Sequence, residues 1–253
     1  METSSAERTI RLIGAESFKQ LEASHVLIVG IGGVGSYTAE ALARAGVGEI
    51  SLVDCDIVSK SNINRQLIAL TSTVGQRKVD VMRNRILDIN PQATVHTHYM
   101  KYCADTASCF DMGSYDFVVD AIDTVSSKVE LIVCAVQSST PIISAMGAGN
   151  NIDPSHFRVS DLSDTHNCPL ARAVRKKLRK FGITSLPVVF SDEPKCEIRS
   201  DEPDDSENKS TENTESTENA EKTRHVSPGS ISFVPSVMGL IIAGEAVRRL
   251  IQQ

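Results

Sequence analysis

No C-x-x-C pair occurs among the six cysteines, at positions 55, 103, 109, 134, 168 and 196. That spacing argues against a ribbon-type zinc site and against a disulfide framework, and it fits reduced thiols in a cytoplasmic protein. The N-terminus lacks a basic segment followed by an apolar stretch, so no secretory leader is expected. Residues 231–247 are apolar but are interrupted by Ser232, Pro235, Ser236, Gly239 and Glu245. They fall short of the roughly 20 residues that span a bilayer, and the expectation is a buried helix starting near Pro235, with Arg248 and Arg249 suited to its C-terminus. Charge of one sign is also scarce in the folded part. The net charge is −6, but residues 201–222 hold nine acids and two bases, which leaves the remainder at +1. Affinity for nucleic acid would therefore need a local basic patch. A solenoid is excluded too, because the Thr-Glu-Asn echoes near residue 215 recur every few residues, whereas solenoid units need about 20.

What is present is enough to build a core: 253 residues with 41% hydrophobic content suit one large α/β domain with an appendage, or two small domains. From Val26 to Ser144 short apolar runs alternate with stretches of helical period, the pattern of a parallel sheet covered on both faces. The expected strands are 26–29, 50–53, 95–98, 117–120 and 142–144, and the expected helices between them include 78–90, stopped by Pro91, and 127–137. After Gly149 the character changes. Residues 156–162 alternate like a half-buried strand, and 169–181 read as a basic helix. Residues 197–226 are too poor in apolar groups to offset the entropy of ordering and are expected to be a disordered acidic loop. The fold class is thus α/β: a doubly wound, Rossmann-like, mostly parallel sheet over 1–150, with a C-terminal extension over 151–253.

The sequence GIGGVG at 30–35 closes the run HVLIV and opens the alanine-rich stretch SYTAEALARAG. This is the strand-loop-helix context of a dinucleotide fingerprint, in which Gly30, Gly32, Gly33 and Gly35 let the backbone pass close to phosphate oxygens at a helix N-terminus. Asp54 ends the next apolar run, where a ribose-binding acid belongs. A glycine loop alone is weak evidence, since NAD and FAD enzymes share it. The residues after it are more telling: Asp56, Asn62, Arg65 and Gln66 follow the strand directly, and Lys78 opens the next helix. An NAD site has no use for Arg65 and Lys78. Transfer of AMP to a carboxylate needs such cations, because the acid must approach an α-phosphate that is already negative and charge builds as pyrophosphate leaves.

Four separated motifs, GIGGVG, D-x-D-x5-N-x-N-R-Q, G-Q-x-K (Gly75, Gln76, Lys78) and D-A-I-D (residues 120–123), occur in one order between residue 30 and residue 123. In this the chain resembles the superfamily of ubiquitin-activating-type adenylating enzymes, which includes the MoeB, ThiF and HesA proteins. The resemblance implies that ATP is the cofactor, that Asp54 holds the ribose, that Asn62, Arg65 and Lys78 hold phosphates, and that Asp123 holds Mg2+. It also implies that Arg8 reaches into the partner subunit's site, which would make the enzyme a homodimer. Plainer roles compete with each assignment: Arg65 and Lys78 as surface cations, Asp123 as a helix cap, Asp120 as an organiser of the strand end, and Arg11 in place of Arg8.

The second half is similar to one branch, the tRNA threonylcarbamoyladenosine dehydratases, through 147–154, 169–183, 187–191 and GSISFVPSVMGL at 229–240. The acidic segment departs from that pattern. The resemblance implies a tRNA carrying threonylcarbamoyladenosine as substrate: its threonyl carboxylate is adenylated, and a nitrogen of the same modification closes a ring with loss of AMP. A tethered nucleophile has a high effective concentration, so no protein thiol is needed. Cys168, two residues from His166, is the one candidate reactive thiol. Arg172, Arg175, Lys176, Lys177, Arg179 and Lys180 supply a basic patch for tRNA, though a solvated helix face reads the same. His96 and His98 share a strand face and read as core or rim residues rather than ligands. The alternative function is activation of the C-terminal glycine of a ubiquitin-like sulfur carrier, and a nucleotide-sensing module without chemistry is a third reading. Sulfur-transfer partner proteins, and a monovalent cation ordering the loop at 147–151, are left open by the sequence.

Overall fold

The computed structural model describes residues 6–194, 196 and 228–252; the segment expected to be a disordered acidic loop lies outside them. Two helices, α1 (Glu7–Ile13) and α2 (Ala15–Ala23), precede the sheet, and the chain then alternates: β1 (His25–Val29), α3 (Gly35–Ala45), β2 (Glu49–Val53), α4 (Lys78–Ile89), β3 (Thr94–His98), α5 (Ala104–Ala107), β4 (Phe117–Asp120), α6 (Val125–Gln137) and β5 (Ile142–Ala145). There follow β6 (Phe157–Asp161), α7 (Pro169–Leu178), β7 (Pro187–Ser191) and α8 (Phe233–Leu250). The strands form one seven-stranded sheet in the order β3-β2-β1-β4-β5-β7-β6. All neighbours are parallel except β6, which runs antiparallel to β7 at the edge.

The five expected parallel strands and both expected helices form within a residue or two of the sequence boundaries. The short continuous apolar runs are buried because both sheet faces are covered, as parallel sheets require. Val26 and Ile28 pack with α3, α4 and α8 on one face, whereas Leu27 and Val29 pack with α6 and α7 on the other. The basic stretch is α7 followed by a short 3-10 turn (Arg179–Phe181), and the alternating stretch is β6. β7 inserts between β5 and β6, so chain beyond residue 150 continues the same sheet. α8 begins at Phe233, as Pro235 suggested, and lies against α3, where Thr38 Oγ1 donates to the Gly239 carbonyl at 3.0 Å. Among the described residues no helix is long and apolar enough to cross a membrane.

Two charge clusters tie elements together. Glu40 of α3 accepts hydrogen bonds from Arg44 Nε (2.8 Å) and, across to α4, from Arg85 Nε (2.6 Å) and Nη2 (3.1 Å). Burial pulls its carboxyl upward, but the two guanidinium groups outweigh burial and hold it below the usual glutamate range. Lys128 of α6 is wholly buried and bonds Asp120 Oδ2 (2.8 Å), Ser144 Oγ (3.2 Å) and the Ala145 carbonyl (2.8 Å). Ser144 Oγ donates in turn to Asp120 Oδ2 at 2.5 Å. Asp120 therefore organises the end of β4.

Glu40→Gln is expected to cost about 1.5–3 kcal/mol at neutral pH, the scale of hydrogen bonds to charged groups. Because the folded carboxyl titrates below its unfolded value, that contribution is present above the unfolded pKa and fades as pH falls through the depressed one. Urea denaturation of both proteins should show the gap closing in acid. Lys128→Met strands a buried carboxylate and is expected to cost about 3–5 kcal/mol. Adding Asp120→Asn should recover much of the loss in the same denaturation assay.

Candidate active site

The carboxyl ends of β1, β2, β4 and β5 open into a cavity of about 1100 Å³. Its wall includes Gly30, Gly32, Gly33, Asp54, Asp56, Asn62, Arg65, Gln66, Lys78 and Asp123, so all but two of the site residues expected from sequence converge on one space. Gly35 is buried at the base of the glycine loop, and Arg8 lies outside this chain's own cavity wall, exposed on α1. The loop needs its glycines sterically. Gly30 has φ +94°, and a Cβ there would stand 2.6 Å from the Ala121 carbonyl, while one at Gly35 would stand 1.8 Å from the Gly30 carbonyl.

Asp54 is the anchor of the site. Its Oδ2 accepts from the Ile31 N–H at 2.7 Å, which ties the glycine loop to the end of β2, and its Oδ1 accepts from the Asp56 N–H at 2.8 Å. Burial raises the Asp54 carboxyl above its ordinary value, although Lys78 and the two N–H donors pull the other way. Each carboxylate oxygen has a second lone pair, so a ribose hydroxyl can still be bound. Lys78, the first residue of α4, is buried, with Nζ 2.7 Å from Asp56 Oδ2 and 4.0 Å from Asp54 Oδ1. It is therefore no surface cation. Arg65 lies over the cavity with Nη1 donating to the Ser61 carbonyl and Asn64 Oδ1, both at 2.9 Å. Asn62 Oδ1 accepts from the Ser59 N–H (3.1 Å), closing the 3-10 turn Lys60–Asn62 that carries Arg65 into place.

Asp123 is exposed and bonded to Thr124 Oγ1 at 3.2 Å. It does not cap α6: the N-cap is Thr124, without a side-chain cap bond. The carboxylate is thus available at the cavity rim. Cys168, the candidate thiol, is buried in the wall, and His166 is exposed with its ring against Phe190, so the two form no ligand cluster.

The sequence reading missed several contributors. Lys101 and Ser127 also line the cavity. Ser127 Oγ and Gln66 Oε1 are buried without a hydrogen-bond partner. Such orphans are costly in a folded protein, and here they represent hydrogen-bonding capacity in the pocket wall. Lys128, buried beneath that wall, follows Asp120 by eight residues, a spacing that D-A-I-D-x4-K would have signalled. Of the basic patch, Arg175 is spent on the loop before α7: its Nη1 bonds the carbonyls of Leu162, Ser163 and Thr165.

The model of the ThiF family matches residues 5–253. The chain is 46% identical over 241 residues to the tRNA threonylcarbamoyladenosine dehydratase of Bacillus subtilis strain 168, covering 95% of this chain and 92% of that protein. It aligns with the crystal structure of E. coli tRNA N6-threonylcarbamoyladenosine dehydratase, TcdA, in complex with ATP, at TM-score 0.83 and 31% identity, covering 100% of this chain and 98% of that one. Similarity to the adenylyltransferase and sulfurtransferase MOCS3 of Culex quinquefasciatus is 39% over 132 residues, only 52% of this chain and 30% of that protein. With its glycine loop, buried Lys78 and whole-length likeness to these dehydratases, the chain belongs to the ThiF family, in their branch.

Proposed function

We propose that this protein is an ATP-dependent tRNA threonylcarbamoyladenosine dehydratase. The threonyl carboxylate of the modified adenosine attacks the α-phosphorus of ATP, the bond to pyrophosphate breaks, and an acyl adenylate forms. A nitrogen of the same modification then attacks the acyl carbon, AMP departs with the carboxyl oxygen, and the nucleoside has lost one water. The observation that carries this reading is the convergence of the glycine loop, Asp54, Arg65 and Lys78 on one cavity.

In this mechanism the glycine loop and Asn62 cradle phosphates, Asp54 binds the ribose, and Gln66 offers its unpaired oxygen to the nucleotide. Arg65 and Lys78 face the charge that develops on the α-phosphate and the leaving pyrophosphate. Lys78 is held between Asp54 and Asp56, and Asp56 fixes its position until a phosphate competes for it. Asp123 fits a role as magnesium ligand, since Mg2+ is commonly held by one or two carboxylates plus substrate phosphates. When bound there, the ion would screen the triphosphate. The division of labour between an ATP-binding part over 1–150 and a substrate- and dimer-contact part over 151–253 belongs to the same proposal, as does a cytoplasmic location. A monovalent cation at 147–151 and sulfur-transfer partners are not required by this chemistry.

The tRNA side is supported by α7. Its apolar residues Ala171, Val174 and Leu178 face the core, which leaves Arg172, Lys176 and Lys177 exposed, with Arg179 and Lys180 beyond. A second copy of the chain is supported by α1, which buries none of its residues and leaves Leu12 85% exposed. Arg8 on that helix then completes the partner's site. Arg11 is the weaker choice because it pairs with Glu7.

Incubation with ATP, Mg2+ and tRNA bearing the modification should release AMP and lower the nucleoside mass by one water. Arg65→Ala and Lys78→Ala should each lower the rate by about 10²–10³-fold, the loss typical of a removed charge-stabilising donor. ATP–pyrophosphate exchange that depends on a carrier protein's C-terminal glycine instead would overturn the substrate assignment. Mixing Arg8→Ala with Lys78→Ala protein should restore activity, because each mixed dimer regains one intact site. Failure to complement, with mixed dimers present by native mass spectrometry, would place Arg8 in its own subunit's site or in none.

A further inference from the structure

A second group of chemistry-bearing side chains stands at the opposite edge of the sheet. The strand register sets His25 beside Glu49 and Ser51 beside His96. With the period of two along each strand, all four side chains stand on one face. His25 and Glu49 open their strands, whereas the nucleotide cavity lies past the other end of β1, about 13 Å further along. His96 Nε2 is 2.8 Å and His25 Nδ1 3.6 Å from the same oxygen, Glu49 Oε1. Among the described residues this is the one place where three metal-ligating side chains bring an atom each within 4.8 Å of one another. His98, two residues on, turns instead to the ring of Phe110.

The surroundings of His25 are those of a ligand. Its Nε2 lies 2.9 Å from Ser51 Oγ; with the proton on Nε2, donated to that hydroxyl, the Nδ1 lone pair faces Glu49. An outer partner on the second ring nitrogen is the usual companion of a metal-bound imidazole, because it fixes tautomer and orientation. Tyr115 packs edge-on against the ring at 4.6 Å. Burial pushes the imidazole below its ordinary pKa, against the pull of Glu49. Ligand atoms around a tetrahedral zinc sit about 3.3 Å apart, between the two distances observed here.

We propose that His25, Glu49 and His96 bind one borderline divalent cation of the zinc or copper class, with water in the remaining position. Two imidazoles and a carboxylate select such ions over Mg2+ or Ca2+, which prefer all-oxygen sites. The ion would fasten the amino ends of β1, β2 and β3, including the sheet's edge strand, away from the chemistry.

Untagged, metal-free full-length protein titrated with ZnCl2 in a calorimeter should take up one equivalent per chain. His96→Ala, a change at an exposed position, and Glu49→Gln, which keeps the shape, should each weaken binding at least ~10-fold, the loss that even an outer partner can cause. The Co2+ complex should lack a thiolate-to-metal charge-transfer band. No saturable uptake, unaltered affinity in His96→Ala, or a thiolate band would each overturn the proposal.

Discussion

The site depends on one carboxylate. Asp54 ends β2 and receives the Ile31 N–H of the glycine loop on one oxygen and the Asp56 N–H on the other, with Lys78 alongside. A single side chain thereby fixes the glycine loop, the turn that leads to Arg65, and the start of α4. Taking such a group out of water is costly unless it is hydrogen-bonded, and here each oxygen accepts from an element that it must position. Backbone contact at Gly30 and Ala121 adds the second constraint, because it brings the end of β4, and so Asp123, against the loop. Behind them the buried Lys128 and Ser144 hold Asp120, whose other oxygen accepts from the Ile122 N–H at 3.1 Å.

Much of this was legible in the sequence because the carboxyl edge of a doubly wound sheet forces strand-end residues into one crevice. Once 26–29, 50–53 and 117–120 are read as parallel strands, the residues that follow them must meet. What escaped depended on non-local pairing. Lys128 reads as an ordinary helical cation until Asp120 and Ser144 are seen to enclose it. Arg175 looks like one of six surface charges, yet it is committed to carbonyls ten or more residues earlier in the chain. β7 begins with a proline, and its place between β5 and β6 has no local signature. His96 shares a strand face with His98, but its nearest side-chain partners, Glu49 and His25, come from two other strands.

The balance of charge in the cavity bears on what must join it. Asp54, Asp56 and Asp123 face Arg65, Lys78 and Lys101, so the ionisable lining is neutral. A neutral cavity has little net attraction for a triphosphate and less for a triphosphate together with a carboxylate and a tRNA backbone. Loop N–H groups at the start of α3 supply part of the deficit. On the proposed mechanism the rest would come from outside the lining: a divalent ion at Asp123, an arginine from a second subunit, and the α7 surface for the nucleic acid. In that mechanism the cations would be complete only once metal and partner join the nucleotide, and the reactive adenylate would form where the tethered nitrogen is already in place to consume it.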